Sequence, residues 1–172
     1  MERKNAWLSY GEADETAMEK LAKDYRAFLD AGKTERECVT ELVREAEANG
    51  YVNLETKLAA GEKIQPGDKV YAVGMKKIMA LFHVGQEPLE KGMNILGAHI
   101  DSPRLDVKQN PLYEDTDLAY LDTHYYGGVK KYHWVALPLA IHGVIVKKDG
   151  TVVNVTVGED EDDPIVYITD LL

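Results

Sequence analysis

Residues 93–108, Met-Asn-Ile-Leu-Gly-Ala-His-Ile-Asp-Ser-Pro-Arg-Leu-Asp-Val-Lys, constrain this chain more than any other stretch. The stretch opens on an apolar run, Ile95-Leu96-Gly97-Ala98, which reads as part of a strand over residues 93–99 covered on both faces. Polarity then changes within three residues. His99 and Asp101 stand where the strand should end, and Ser102-Pro103 stops it, because Pro103 has no N–H to give to a sheet ladder. Polar groups at the end of a buried strand are a usual place for a site in an α/β protein, since the strand holds them rigidly beside a crevice.

The spacing His-x-Asp has a use in metal chemistry. A histidine on zinc needs one ring nitrogen on the metal and a partner for the other ring N–H. A carboxylate serves well, because it fixes the tautomer and raises the ligand's basicity. His99 is the candidate ligand and Asp101 its orienting carboxylate. In an extended chain, residues two apart point to one face, so the pair can converge. The plain alternative is a histidine hydrogen-bonded at a strand end beside a turn-forming Asp-Ser-Pro. The bare pattern leaves both open.

The flanking residues carry more. Gly97-Ala98-His99-Ile100-Asp101-Ser102-Pro103-Arg104-Leu105 resembles the first metal-ligand segment of the aspartyl aminopeptidase family of dinuclear zinc metallopeptidases, in its bacterial members. Thr123-His124-Tyr125-Tyr126-Gly127-Gly128, followed by Trp134 and Pro138-Leu139-Ala140, resembles a second segment of the same family. The likeness runs over nearly the whole chain. It implies a metal-dependent aminopeptidase that removes N-terminal residues, often acidic ones, from peptide substrates. It implies zinc as cofactor, two metal ions per complete site, with cobalt or manganese as alternatives. On it His99 is a metal ligand, Asp101 a catalytic residue, and the protein a homo-oligomer. The family's bridging aspartate, Glu-Glu pair, further carboxylate and last histidine would lie beyond residue 172. The resemblance therefore implies an N-terminal piece of a peptidase, inactive by itself. The reading from another class is a non-catalytic α+β interaction or assembly module whose His-x-Asp is structural.

Composition narrows the partners. A net charge of −10 over 172 residues argues against a nucleic-acid binder or an anionic-membrane binder, both of which need a basic face. No apolar run approaches the roughly 20 residues of a membrane span, and the first residues, Met-Glu-Arg-Lys-Asn, lack an apolar signal core. Cys38 is the only cysteine, so no internal disulfide framework exists, which fits a reducing, cytoplasmic setting.

Taken in order, residues 14–31 read as an amphipathic helix with Met18, Leu21, Ala22, Tyr25, Phe28 and Leu29 on one stripe, stopped by Gly32. A second helix over 35–48 follows the capping-box pattern Thr34-Glu35-Arg36-Glu37 and buries Cys38, Leu42, Val43 and Ala46. From residue 51 the pattern loosens. Gln65-Pro66-Gly67-Asp68 is a turn, and residues 69–73 and 77–84 read as strands joined near Gly74-Met75. After Pro103, residues 105–108 are short and extended, and residues 109–117 form a surface connection. Further strands fall at 119–125, 135–147, 151–157 and 165–169, with a hairpin at Lys148-Asp149-Gly150.

The pattern thus changes from helix plus sheet to strands alone near residue 108. The fold class is α/β, or α+β for this stretch by itself. Residues 1–108 are expected to be the N-terminal part of the catalytic domain. Residues 109–172 are expected to be the start of an inserted β-rich domain used for oligomerisation.

The remaining candidates have plainer readings. Cys38 fits a small core residue. His83 and His142 fit half-buried strand positions. His124 and His133 flank Gly127-Gly128, a loop that either touches a neighbouring element or substrate or simply bends a meander. The Glu159-Asp160-Glu161-Asp162-Asp163 run lacks the spacing of a calcium loop and reads as a solvated turn. Arg104 is a candidate for holding an acidic substrate side chain, or equally an ion-pair partner for Asp106.

Overall fold

A computed structural model of the chain describes residues 3–168. They fall into two compact units that divide between His99 and Ile100. Helices and strands mix in the first unit, and the second is built mainly of strands, with one 3-10 turn at Lys131–His133.

The first unit is organised on helix α2 (Glu35–Ala48), preceded by helix α1 (Glu12–Ala31). The Thr34 hydroxyl accepts from the Glu37 N–H, and the Glu37 carboxylate accepts from the Thr34 N–H, so two otherwise unpaired donors are satisfied at the start of α2. Between the helices the backbone comes close to a side chain. A Cβ added to Gly32 would lie 2.8 Å from the Cys38 Sγ, so a side chain at position 32 would force the junction apart. Strand β1 (Val52–Asn53) pairs parallel with β2 (Lys69–Gly74), and β2 pairs antiparallel with β3 (Ile78–His83). Helix α2 packs on β2 and β3, and the core is Cys38, Val39, Ala46, Val70 and Tyr71. Cys38 is indeed a core residue, and burial pushes its thiol pKa up, away from reactivity.

A short helix α3 (Leu54–Ala59), which the loosened pattern after residue 51 did not announce, starts where the Asn53 side chain accepts from the Thr56 N–H. The expected strand over residues 93–99 does not form. That segment pairs with nothing regular, and Ile95 and Leu96 are 80% and 99% exposed. Its composition suits a sheet interior, but a strand exists only where a neighbouring edge completes its hydrogen bonds, and no described strand flanks it.

The second unit holds two antiparallel hairpins. Strand β4 (Arg104–Asp115) pairs with β5 (Leu118–Tyr126), and β6 (Ile141–Val146) pairs with β7 (Val152–Val157). Residues 109–117 are therefore mostly strand and not a surface connection. The register slips between Val107 and Leu112, so Gln109-Asn110-Pro111 is accommodated as an irregularity inside β4, a position where proline is tolerated. The hairpin turns at Thr116 and Asp117, both at positive φ. The Lys148-Asp149-Gly150 turn joins β6 to β7 as expected. Residues 135–140 and 165–168 make only isolated bridges, Val135 to Ile168 and Leu139 to Val166, in place of the longer strands expected there. Thr169, expected at the end of the last strand, lies outside the described residues.

Candidate active site

His99 closes the first unit and Asp101 stands at the start of the second. His99 is exposed, and Asp101 is half-buried. Around Asp101 the second unit supplies a defined surrounding. The register of β4 against β5 sets Arg104 opposite Tyr126, and the Tyr126 hydroxyl donates to Asp101 Oδ2 at 3.2 Å. The Arg104 guanidinium lies over the Tyr126 ring, 4.3 Å from its centre, while its Nε is 2.7 Å from Asp106 Oδ1. Of the two readings of Arg104, the ion pair with Asp106 is thus present, and the stacking on Tyr126 comes with it.

The Gly127-Gly128 loop also touches a neighbouring element. Gly127 has a φ of 74°, and a Cβ built there would sit 3.5 Å from the Pro103 ring and Cα. The end of β5 therefore lies directly against Asp101 and Pro103. Sequence reasoning named the Tyr-Gly-Gly segment but did not give Tyr126 a partner. The two bonded residues are 25 positions apart, and only the β4–β5 register joins them.

The other histidines stay in plain surroundings, and of the two expected to be half-buried in strands His142 is so while His83, at the end of β3, is exposed. His124 stacks on Tyr125, and His133 meets Tyr132 edge to face. The His142 Nε2 lies 2.8 Å from Glu159 Oε1. The acidic run is a closed turn. The Asp163 carboxylate accepts from the Gly158 and Asp160 N–H groups, which hold its pKa below the usual carboxylate range.

Zinc takes three or four N, O or S donors in fixed geometry. Among the described residues, no three or more His, Cys, Asp or Glu side chains come together to hold a metal ion. His99 and Asp101 are of the right chemical kinds, but the described residues supply part of a donor set and do not complete one. No helix among the described residues is long and apolar enough to cross a membrane.

Comparison with known proteins supplies the context. Residues 28–172 match the family model described as aminopeptidase I zinc metalloprotease, M18. A probable M18 family aminopeptidase 1 of Clostridium acetobutylicum is 60% identical over 171 residues, covering 99% of this chain and 37% of that protein. The namesake of Thermotoga maritima is 46% identical over 172 residues and is covered to 36%. Among solved structures, aminopeptidase I from Borrelia burgdorferi B31 superposes with a TM-score of 0.89 at 36% identity, over 98% of this chain and 41% of that one. A more distant dodecamer from S. cerevisiae, 20% identical with a TM-score of 0.72 over 90% of this chain and 36% of that one, shares the fold. The chain thus spans well under half the length of the relatives it matches. Because the family model takes in most of the chain, including His99-Ile100-Asp101-Ser102-Pro103, the chain belongs to the M18 aminopeptidase I family of zinc metalloproteases.

Proposed function

We propose that these residues serve as the N-terminal part of a metal-dependent aminopeptidase that removes N-terminal residues, acidic ones among them, from peptides. The observation that carries this reading is the M18 family match over residues 28–172, with His99-Ile100-Asp101-Ser102-Pro103 inside it. In this reading His99 is a metal ligand and Asp101 a catalytic carboxylate. The complete site takes two zinc ions, with cobalt or manganese as alternatives. The donors that complete it belong to the length of the relatives that this chain does not span.

Residues 1–108 would form the N-terminal part of the catalytic domain and residues 109–172 the start of an inserted oligomerisation domain. The two compact units divide nine residues earlier, between His99 and Ile100, and strand β4 runs across the proposed division. A homo-oligomer is supported by the dodecamer among the structural relatives. A cytoplasmic setting is supported by the single, buried cysteine. The acidic balance supports peptide substrates over nucleic acid or membrane partners.

The test is an aminopeptidase assay on the polypeptide of the relatives' length. Chelation should abolish hydrolysis and added zinc restore it. Asp101→Ala should lower metal affinity or activity by about 10–100-fold, the usual cost of removing a partner behind a metal ligand. His99→Ala should cost more, since a direct bond to the metal is lost. Full activity in the His99→Ala protein would refute the assignment.

A further inference from the structure

The end of strand β5 is placed to do more than finish a hairpin. Three of its contacts converge on the few residues after His99. The Tyr126 hydroxyl binds Asp101 Oδ2 at 3.2 Å, the Arg104 guanidinium covers the Tyr126 ring at 4.3 Å, and Gly127 lies against Pro103. Arg104 is itself anchored by Asp106 at 2.7 Å, so the ring has one charged neighbour fixed on its face and one carboxylate fixed at its hydroxyl.

Each contact has a geometric reason. Arg104 and Tyr126 are directly opposite in the β4–β5 register. Gly127, at a φ of 74°, turns the chain immediately after Tyr126 in a conformation that other residues adopt only with strain. That turn brings the backbone beside the rigid ring of Pro103. Asp101 precedes Pro103 by two residues and is held at its carboxylate from the same strand end. The segment has no regular strand pairing of its own between residues 92 and 103. The contacts from the end of β5 therefore bear on its order.

We propose that Tyr126 is a positioning residue for the reaction, holding the Asp101 carboxylate in its working orientation through the hydroxyl, with Arg104 fixing the ring. The proposal rests on the assignment of Asp101 as a catalytic carboxylate. Tyr126 touches neither substrate nor reacting atoms in this role. It acts through Asp101, so it shapes turnover and leaves substrate affinity alone.

Tyr126→Phe removes the hydroxyl and keeps the ring under Arg104. In the polypeptide of the relatives' length, kcat should fall about 10-fold, at the lower end of the cost of losing a hydrogen bond to a charged group. KM should stay within about two-fold, because uniform binding is untouched. Amide hydrogen exchange at Ile100, Asp101 and Ser102 should speed up, a readout that needs no turnover. Asp101→Ala combined with Tyr126→Phe should be no slower than Asp101→Ala alone, because the two act as one unit. Tyr120→Phe, in the stacked pair with Tyr113 toward the other end of the hairpin, should change none of these.

Unchanged kcat and unchanged exchange in Tyr126→Phe, with Asp101→Ala impaired, would overturn the Tyr126 inference and leave the functional assignment standing. Additive losses in the double variant would overturn it as well. An Asp101→Ala protein with full kcat would overturn the assignment and this inference together.

Discussion

The hydroxyls of Tyr71 and Tyr126 each meet a carboxylate, and the surroundings decide what each bond does. Tyr126 is 42% exposed, so its bond to Asp101 adds little to the stability of the fold, and its effect is on the orientation of the carboxylate. Tyr71 is 4% exposed in the core of the first unit, and its hydroxyl donates to Glu47 Oε1 at 2.7 Å. That bond, followed by burial, raises the Tyr71 pKa above the ordinary phenol value. A group that binds its proton more tightly when folded stabilises the fold fully below its unfolded pKa. That contribution is lost as pH rises through the folded value. The first unit should therefore lose stability in alkali from about pH 10 upward, the ordinary phenol range. Tyr71→Phe should make that alkaline limb shallower, leaving the part that Lys20 and Lys57 contribute through their raised pKa values, while costing about 1–2 kcal/mol near neutrality. Denaturant melts of the two proteins between neutrality and alkali would check it, and an unchanged alkaline limb in Tyr71→Phe would count against it. Of these residue-scale features, His99 and Asp101 could be named as candidates from the sequence because their chemistry is local. The Tyr71–Glu47 and Tyr126–Asp101 bonds were not, because each depends on how two distant elements register.

At the scale of elements, legibility followed the range of the causes. Helix α2 begins at its capping box and β2–β3 forms around its turn, since a few neighbouring residues fix both. Residues 93–99 read as a strand, but pairing is supplied by another part of a chain, and the pattern cannot announce its absence. Residues 109–117 failed for the opposite reason. Asn110-Pro111 and the acidic run argued for a loop, and the long antiparallel pairing of β4 with β5 overrode them by absorbing the proline in an irregularity. That hairpin carries a local cost. Thr116 and Asp117 adopt φ values of 52° and 62°, and a β-branched residue is poorly suited to that region. Asn-Gly is the pair that such a turn prefers. Thr116→Asn with Asp117→Gly should therefore stabilise the hairpin by about 1 kcal/mol, the lower end of what a non-glycine residue in this region costs. Slower amide exchange across the β4–β5 pairs is the expected reading. Faster exchange would mean that the Thr116 and Asp117 side chains contribute more than their backbone strain removes.

At the scale of the whole chain, the decisive feature is where apolar surface is buried and where it is not. Among the described residues, the five buried hydrophobic side chains, Cys38, Val39, Ala46, Val70 and Tyr71, all belong to the first unit. Meanwhile Ile95 and Leu96 in the first unit, and Leu112 and Ile165 in the second, are 70% exposed or more. Exposed apolar side chains in such numbers mark surfaces that associate, and among the described residues each hairpin is a two-stranded sheet with two edges. A net charge of −10 opposes association between copies, but salt screens it, with a Debye length of roughly 8 Å at 0.15 M. The two forces respond oppositely to salt, which identifies the winner. Residues 1–172 expressed alone should self-associate at micromolar concentration, bind a hydrophobic dye, and associate further as salt is raised. Association held by ion pairs would instead weaken with salt. The polypeptide of the relatives' length should bind far less dye, because the same surfaces would be covered. Sedimentation of residues 1–172 as a stable, dye-silent monomer across the salt range would show that the exposed side chains find cover within this chain.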